Sequence, residues 1–214
     1  EVYEKTKKDA RQVPMKIYTT FDLKVQDVLV KLEKGELFKY YNDYDQEGTA
    51  ITSIEDGSII ALSGGRKYGA RGLNRATDIN RQPGSTAKPL FDYAPYMEYL
   101  NGSPGDYFFD EPYAYSTGQS INDADRKYQG MITLRKGLIG SRNVTALQAF
   151  QKVAAKDQSL IENFVHSVGI NYGSALYESA SIGGFNGTNP LEMSAAYAVF
   201  GRGGYYIKPY SFTK

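Results

Sequence analysis

The sequence predicts an α+β domain in which an antiparallel sheet is flanked by helices. Three observations carry this. Thr49 to Ile54 and Ser58 to Leu62 are β-rich runs joined by Glu55-Asp56-Gly57, a hairpin signal. Several stretches place apolar residues at helical spacing behind recognisable caps, most clearly Asn189-Pro190-Leu191-Glu192. Between them lie Gly-, Pro- and Tyr-rich segments too irregular for long helices.

In chain order, Val13 to Thr20, rich in Ile, Tyr and Thr, reads as a strand. Asp22 caps a helix with Val25, Val28, Leu29 and Leu32 on one face, stopped by Gly35. Phe38 to Glu47 is aromatic and acidic, a loop. The hairpin follows, with Asp56-Gly57 as a type I′ turn, and Ser63-Gly64-Gly65 ends its second strand. Arg66 to Gln82 is a long basic loop. A helix starts close to Ser85: Pro83 disfavours helix before it, and Pro89, having no N–H, fits a first turn. It continues from Leu90 to Leu100 with a kink at Pro95. Asn101 to Asp125 cannot be a long helix. Thr133 caps a short helix stopped by Gly140, and Val144 to Ala155 and Leu160 to Val168 are two more. The helix begun by Asn189 buries Leu191, Ala195, Ala198 and Val199 and stops at Gly201; Tyr205 to Ile207 begins a strand.

Composition narrows the function. With 41% hydrophobic and 23% charged residues the chain is an ordinary soluble one, and a net charge of +1 gives no field to draw in nucleic acid or an anionic membrane. Absent cysteine excludes thiolate chemistry and disulfides, and fits a cytosolic or an extracellular location. The 19 tyrosines suit half-buried packing more than a ligand groove. The start Glu1-Val2-Tyr3-Glu4 reads as part of something longer, with residues 1–12 a linker from an upstream region and 13–214 the domain.

Pro83-Gly84-Ser85-Thr86-Ala87-Lys88-Pro89 carries the chemistry. Ser85 and Lys88, three residues apart, project from one helical face, and a lysine of lowered pKa can take the proton of a serine nucleophile. Ser85 stands at a helix N-terminus, where the dipole favours developing negative charge. Ser141-Arg142-Asn143, 56 residues beyond Ser85, adds a hydroxyl that passes protons and a carboxamide that binds a peptide carbonyl. Ser120-Ile121-Asn122 shares the Ser-x-Asn pattern, but Ser141 follows a helix. His166, the single histidine, lies in a helix far from both motifs and reads as structural or surface, not catalytic. Gly183-Gly184-Phe185-Asn186-Gly187 is a turn in the cleft wall and not a phosphate cradle, and Asp22, Asp43, Asp45 and Glu47 lack calcium-loop spacing.

These motifs resemble the transpeptidase domain of class A (bifunctional) penicillin-binding proteins. Also similar are Tyr18-Thr-Thr-Phe-Asp-Leu23, Ala61-Leu-Ser-Gly-Gly65, Asn74-Arg-Ala-Thr77, Ile132-Thr-Leu-Arg-Lys-Gly-Leu138 and Asn189 to Tyr197, in order from about Val13 onward. The resemblance implies a penicillin-binding, β-lactamase-like fold. It implies Ser85 as nucleophile on the penultimate D-alanine of a peptidoglycan stem peptide, Lys88 as base, Ser141 as proton relay and Asn143 as substrate ligand. β-Lactams would acylate Ser85; no metal or cofactor is implied, and the domain would lie on the extracellular face of a bacterial membrane. A D,D-carboxypeptidase or β-lactamase of the same fold, for which only Glu162 and Glu178 could deacylate, and a non-catalytic peptidoglycan-binding module are the alternatives.

One departure stands out. The family's third motif, Lys-Thr-Gly or Lys-Ser-Gly, is absent; Ser116-Thr117-Gly118 has Tyr115 where the lysine belongs. The expectation is that the C-terminal strands are missing, leaving the Thr49–Leu62 hairpin with unpaired edges, and that a second polypeptide completes the fold.

Overall fold

In a computed structural model, residues 1–69, 72–173 and 175–214 are described. The α+β class holds, and the strands form three two-stranded antiparallel sheets. Two units are present, Glu1–Ile79 with Asn189–Lys214, and Asn80–Thr188.

The first unit contains α1 (Val2–Thr6), α2 (Leu23–Glu33), β1 (Thr49–Thr52), β2 (Ile59–Ser63) and α6 (Pro190–Gly201). Asp22 caps α2 by accepting from the N–H groups of Lys24 and Val25 at 2.8 and 3.2 Å. Asn189 caps α6 by accepting from Glu192 N–H at 2.9 Å. The hairpin edge is occupied: the Gln26 carboxamide donates to Leu62 O (2.8 Å) and accepts from Leu62 N–H (3.1 Å), and Ile59 N–H reaches Tyr210 O at 2.9 Å. The outer edge of β2 is thus covered within the chain, whereas β1 has no strand on its outer edge among the described residues, so the unpaired edge expected is found on that side alone.

Several local expectations fail for identifiable reasons. The hairpin loop is not type I′, because only Gly57 (φ +77) has positive φ and that turn needs two such residues. Ser53 N–H bonds Ser58 O and Gly57 N–H bonds Ser53 O, giving a longer loop. Val13 to Thr20 is not a strand; Thr19 makes a single bridge, to Phe212. Tyr205 to Ile207 also lacks ladder bonds. Leu191 is half-buried, whereas Ala195, Ala196, Ala198 and Val199 form the buried face of α6. The Arg66–Gln82 stretch includes Ala70 and Arg71, which lie outside the described residues.

The second unit contains α3 (Ala94–Leu100), β3 (Tyr107–Asp110), β4 (Tyr113–Ala114), β5 (Ser120–Ile121), β6 (Gly130–Thr133), α4 (Leu134–Ile139) and α5 (Asn143–Ser167). The helix near Ser85 opens as a 3-10 turn, Gly84–Ala87, widens into a π turn, Pro89–Tyr93, and then becomes α3. Pro95 therefore sits in the first turn of α3, where a missing N–H costs little, and does not kink a helix interior. Thr133 caps α4, accepting from Lys136 N–H at 3.2 Å. The two helices expected over 144–168 are present, running into one another within α5 and separated by a kink at Asp157, whose backbone is extended (φ −172, ψ 116) and whose side chain accepts from Ser159 N–H. Val144, Leu147, Phe150, Val153, Ile161 and Val165 make α5 the centre of this unit's core. Phe91 stacks on Phe185 at 4.9 Å. In β3 the alternation points Phe108 and Asp110 inward, an apolar residue and an acid.

Candidate active site

The π turn is the first unusual element. An i→i+5 turn is rare and costs helix geometry, and it frequently marks a functional position. Here it buries Leu90, Phe91, Asp92 and Tyr93 directly after Lys88. Lys88 is fully buried, and Ser85, at the head of the 3-10 turn, is exposed. The two are joined through the backbone, Lys88 N–H donating to Ser85 O. Gly84 and Gly183 hold this corner: both have positive φ, and a Cβ on Gly183 would run into the backbone of Gly84.

The Lys88 amine meets the second motif. Its Nζ lies 2.5 Å from Ser141 O, 3.1 Å from Ser141 Oγ and 2.7 Å from Asn143 Oδ1. Two of these oxygens only accept, and the third is a hydroxyl that can also donate. The set satisfies a free amine with two N–H groups and a lone pair as well as an ammonium with three donors. The loop can therefore hold Lys88 through the gain and loss of a proton. Burial holds its pKa down to about 8, with Asp92 and Asp123 opposing that fall and Arg142 adding to it.

Structure thus brings together Lys88, Ser141 and Asn143. Ser85 is placed one turn before Lys88, and its hydroxyl makes no hydrogen bond among the described residues. His166 is exposed at the end of α5, its ring 4.6 Å from Tyr172.

Sequence reasoning missed what supports this loop. Ser141 is left-handed (φ +48), a conformation that costs a non-glycine residue about 1–3 kcal/mol. On either side of it the chain is pinned. Buried Arg142 donates Nε–H to Asp110 at 2.9 Å, contacts Asp123 Oδ2 at 3.0 Å and bonds Asp125 at 2.9 Å. It also donates to Lys127 O. Asp123 in turn accepts the Asn143 N–H, which begins α5, and Asn143 Nδ2–H donates to Asn122 O at 2.8 Å. Burial and the adjacent Asp110 raise the Asp123 pKa. The available signal was the charged run Asp123-Ala124-Asp125-Arg126 between the β-rich stretches that precede Ser141-Arg142-Asn143. Asp92 was missed as well: it is fully buried, both its oxygens lack a hydrogen-bond partner, and burial pushes its pKa well up against the pull of Lys88. A carboxylate buried without hydrogen-bond partners is costly, which is the cause of that rise.

Comparison with known proteins follows the same lines. Residues 48–214 match the family model of the penicillin binding protein transpeptidase domain. The chain is 39% identical over 214 residues to penicillin-binding protein 1A/1B of Bacillus subtilis, covering 98% of this chain and 23% of that protein. It is 36% identical over 212 residues to penicillin-binding protein 1A of Streptococcus oralis, covering 94% and 33% respectively. The chain thus spans a quarter to a third of the length of these curated relatives. Among solved structures, penicillin-binding protein 1A from Haemophilus influenzae superposes with a TM-score of 0.68 at 30% identity, covering 79% of this chain and 25% of that one. PonA1 from Mycobacterium tuberculosis in complex with penicillin V gives 0.82 over the whole of this chain and 59% of its own; at 18% identity that likeness concerns the fold alone.

Proposed function

Because the chain belongs to the penicillin-binding protein transpeptidase domain family, we propose that it carries the acylating half of a D,D-transpeptidase site that cross-links peptidoglycan stem peptides. The observation that carries this reading is the buried Lys88 amine, one turn after exposed Ser85 and held by three oxygens of Ser141 and Asn143.

Ser85 Oγ attacks the carbonyl of the penultimate D-alanine and its proton passes to the Lys88 amine. The tetrahedral intermediate expels the terminal D-alanine as the C–N bond breaks, and Ser141 relays the proton to the leaving nitrogen. The ester on Ser85 is then attacked by the amine of a second stem peptide, whose proton passes to the free Lys88 amine and from it to Ser85 Oγ as the C–O bond breaks and the serine is released. Asn143 binds the substrate backbone with its carboxamide. A β-lactam opens its amide on Ser85 in the same first step. Hydrolysis by a bound carboxylate base is disfavoured: Glu178 is engaged by Ser116 and Gln151, and Glu162 by Gln158.

No Lys-Thr-Gly or Lys-Ser-Gly tripeptide occurs in the 214 residues, so in this reading the cation for the substrate carboxylate and one oxyanion donor come from outside them, on a second polypeptide or segment. No helix among the described residues is long and apolar enough to cross a membrane; the site works on the outer face, where its substrate is.

Labelling with a fluorescent penicillin tests the reading. The wild-type protein is labelled and Ser85→Ala is not; a complete, folded domain that takes no label overturns it.

A further inference from the structure

The geometry points to Asp123 as a positioning residue for this reaction, acting through Arg142 and Asn143 to hold the strained Ser141 loop against the Lys88 amine. The inference rests on the serine-acylation reading above.

One carboxyl meets both neighbours of the strained residue, Asn143 through a hydrogen bond and Arg142 at ion-pair distance. Oδ1 of Asp123 takes the Asn143 N–H, and Oδ2 lies 3.0 Å from Arg142 Nη2. Ser141, between them, is the residue with positive φ, and it supplies two of the three oxygens around Lys88 Nζ. A left-handed serine persists only where its surroundings over-determine it, and residues 142 and 143 are the handles by which this chain does so. The carboxylate also stands at the N-terminus of α5, where an anion is favoured. Asp123 is 2% exposed and Arg142 is 4% exposed, so neither contact is diluted by solvent.

Charge gives the arrangement a second consequence. The groups that face Lys88 are Asp92 from its own helix, and Asp123 and Arg142 from the loops packed on it. Asp123 is itself faced by Asp110 and Arg142, and Asp125 lies on the outer side of the guanidinium. Removing the Asp123 charge withdraws support for the Lys88 ammonium and so lowers the pH at which the amine becomes free. Replacing Arg142 by Lys keeps the charge but loses the fork that spans three carboxylates, Asp110, Asp123 and Asp125.

The test is the rate of acylation by fluorescent penicillin across pH in the full-length protein, for wild type, Ser85→Ala, Asp123→Asn and Arg142→Lys, with melting curves for each. Asp123→Asn is expected to lower the plateau rate about 10- to 100-fold, as a loop displaced by an ångström does, and to move the acid limb to lower pH. Arg142→Lys is expected to lower the plateau by a similar factor while leaving the limb in place. Asp123→Asn with the wild-type plateau and limb overturns the inference alone, as does Arg142→Lys at the wild-type rate should the Asn variant not fold. A wild type that takes no label brings down the acylation reading, and this inference with it.

Discussion

Lys88 Nζ and Asn143 Oδ1 lie 2.7 Å apart although 55 positions separate them in the chain. That contact ties the turn carrying Ser85 to the start of α5, and its strength depends on how little water reaches it. Lys88 has no exposed surface, so every partner it loses is lost to a group that solvent cannot reach.

Asn143→Ala removes an acceptor from Lys88 and the donor to Asn122 O. Acylation by penicillin is expected to fall about 100-fold, in line with misplacement of a reacting group. Stability should drop by about 1–3 kcal/mol for the buried N–H left without a partner. Stopped-flow acylation and urea denaturation measure the two; an unchanged rate would show that Asn143 does not place Lys88.

The acid limb of acylation reports the lysine. With its pKa held down to about 8 by burial, about one Lys88 in ten is free amine at pH 7, against about one in three thousand at the ordinary value of 10.5. The rate should climb with pH, reach half its plateau near pH 8 and level off above it. A limb near 10 would mean that the amine is not buried as described.

Asp92 gives a pH dependence of stability with the opposite sense from most carboxyls. Its folded pKa is raised, so between the unfolded value near ~3.9 and that raised value the folded protein keeps a proton that the unfolded chain has released. Stability contributed by Asp92 is therefore greatest below the unfolded pKa and is lost as pH rises toward the folded one. Asp92→Asn should remove this slope and be the more stable protein at pH 7. Denaturation series from pH 4 to 8 decide it; an unaltered slope in the variant assigns the effect elsewhere.

Gly183→Ala should be damaging despite its small size. The residue has φ +86, and the new methyl would collide with the backbone of Gly84 beside Ser85. A loss of about 2 kcal/mol or more is expected, from the left-handed backbone and the displaced turn together. Differential scanning calorimetry would register it, and Gly203→Ala, also at positive φ but with open space around it, serves as the control for strain without collision.

What could be read from the sequence was whatever is decided within a few residues. Asp22, Thr133 and Asn189 each accept the N–H that their spacing assigns them, because a cap is a contact of two or three residues' reach. The motifs singled out Lys88, Ser141 and Asn143, which the structure brings together, while the common face expected for Ser85 and Lys88 gives no hydrogen bond between their side chains. The cage around Arg142 was not legible. Asp110 is 32 positions from Arg142 and Asp125 is 17, and only the pairing of β3 with β6 and the loop between β5 and β6 bring them within reach. The type I′ assignment failed at Asp56 because pattern alone does not tell a two-residue turn from a longer loop ending in the same glycine.

The π turn over Pro89–Tyr93 has a meaning in terms of ancestry. Such a turn is a helix that has accommodated one additional residue without unravelling. A relative with one residue fewer between the residue at the Lys88 position and α3 is expected to close the same stretch as ordinary α-helix, which a structure of such a relative would check. In this chain the turn is the segment that contains buried Asp92.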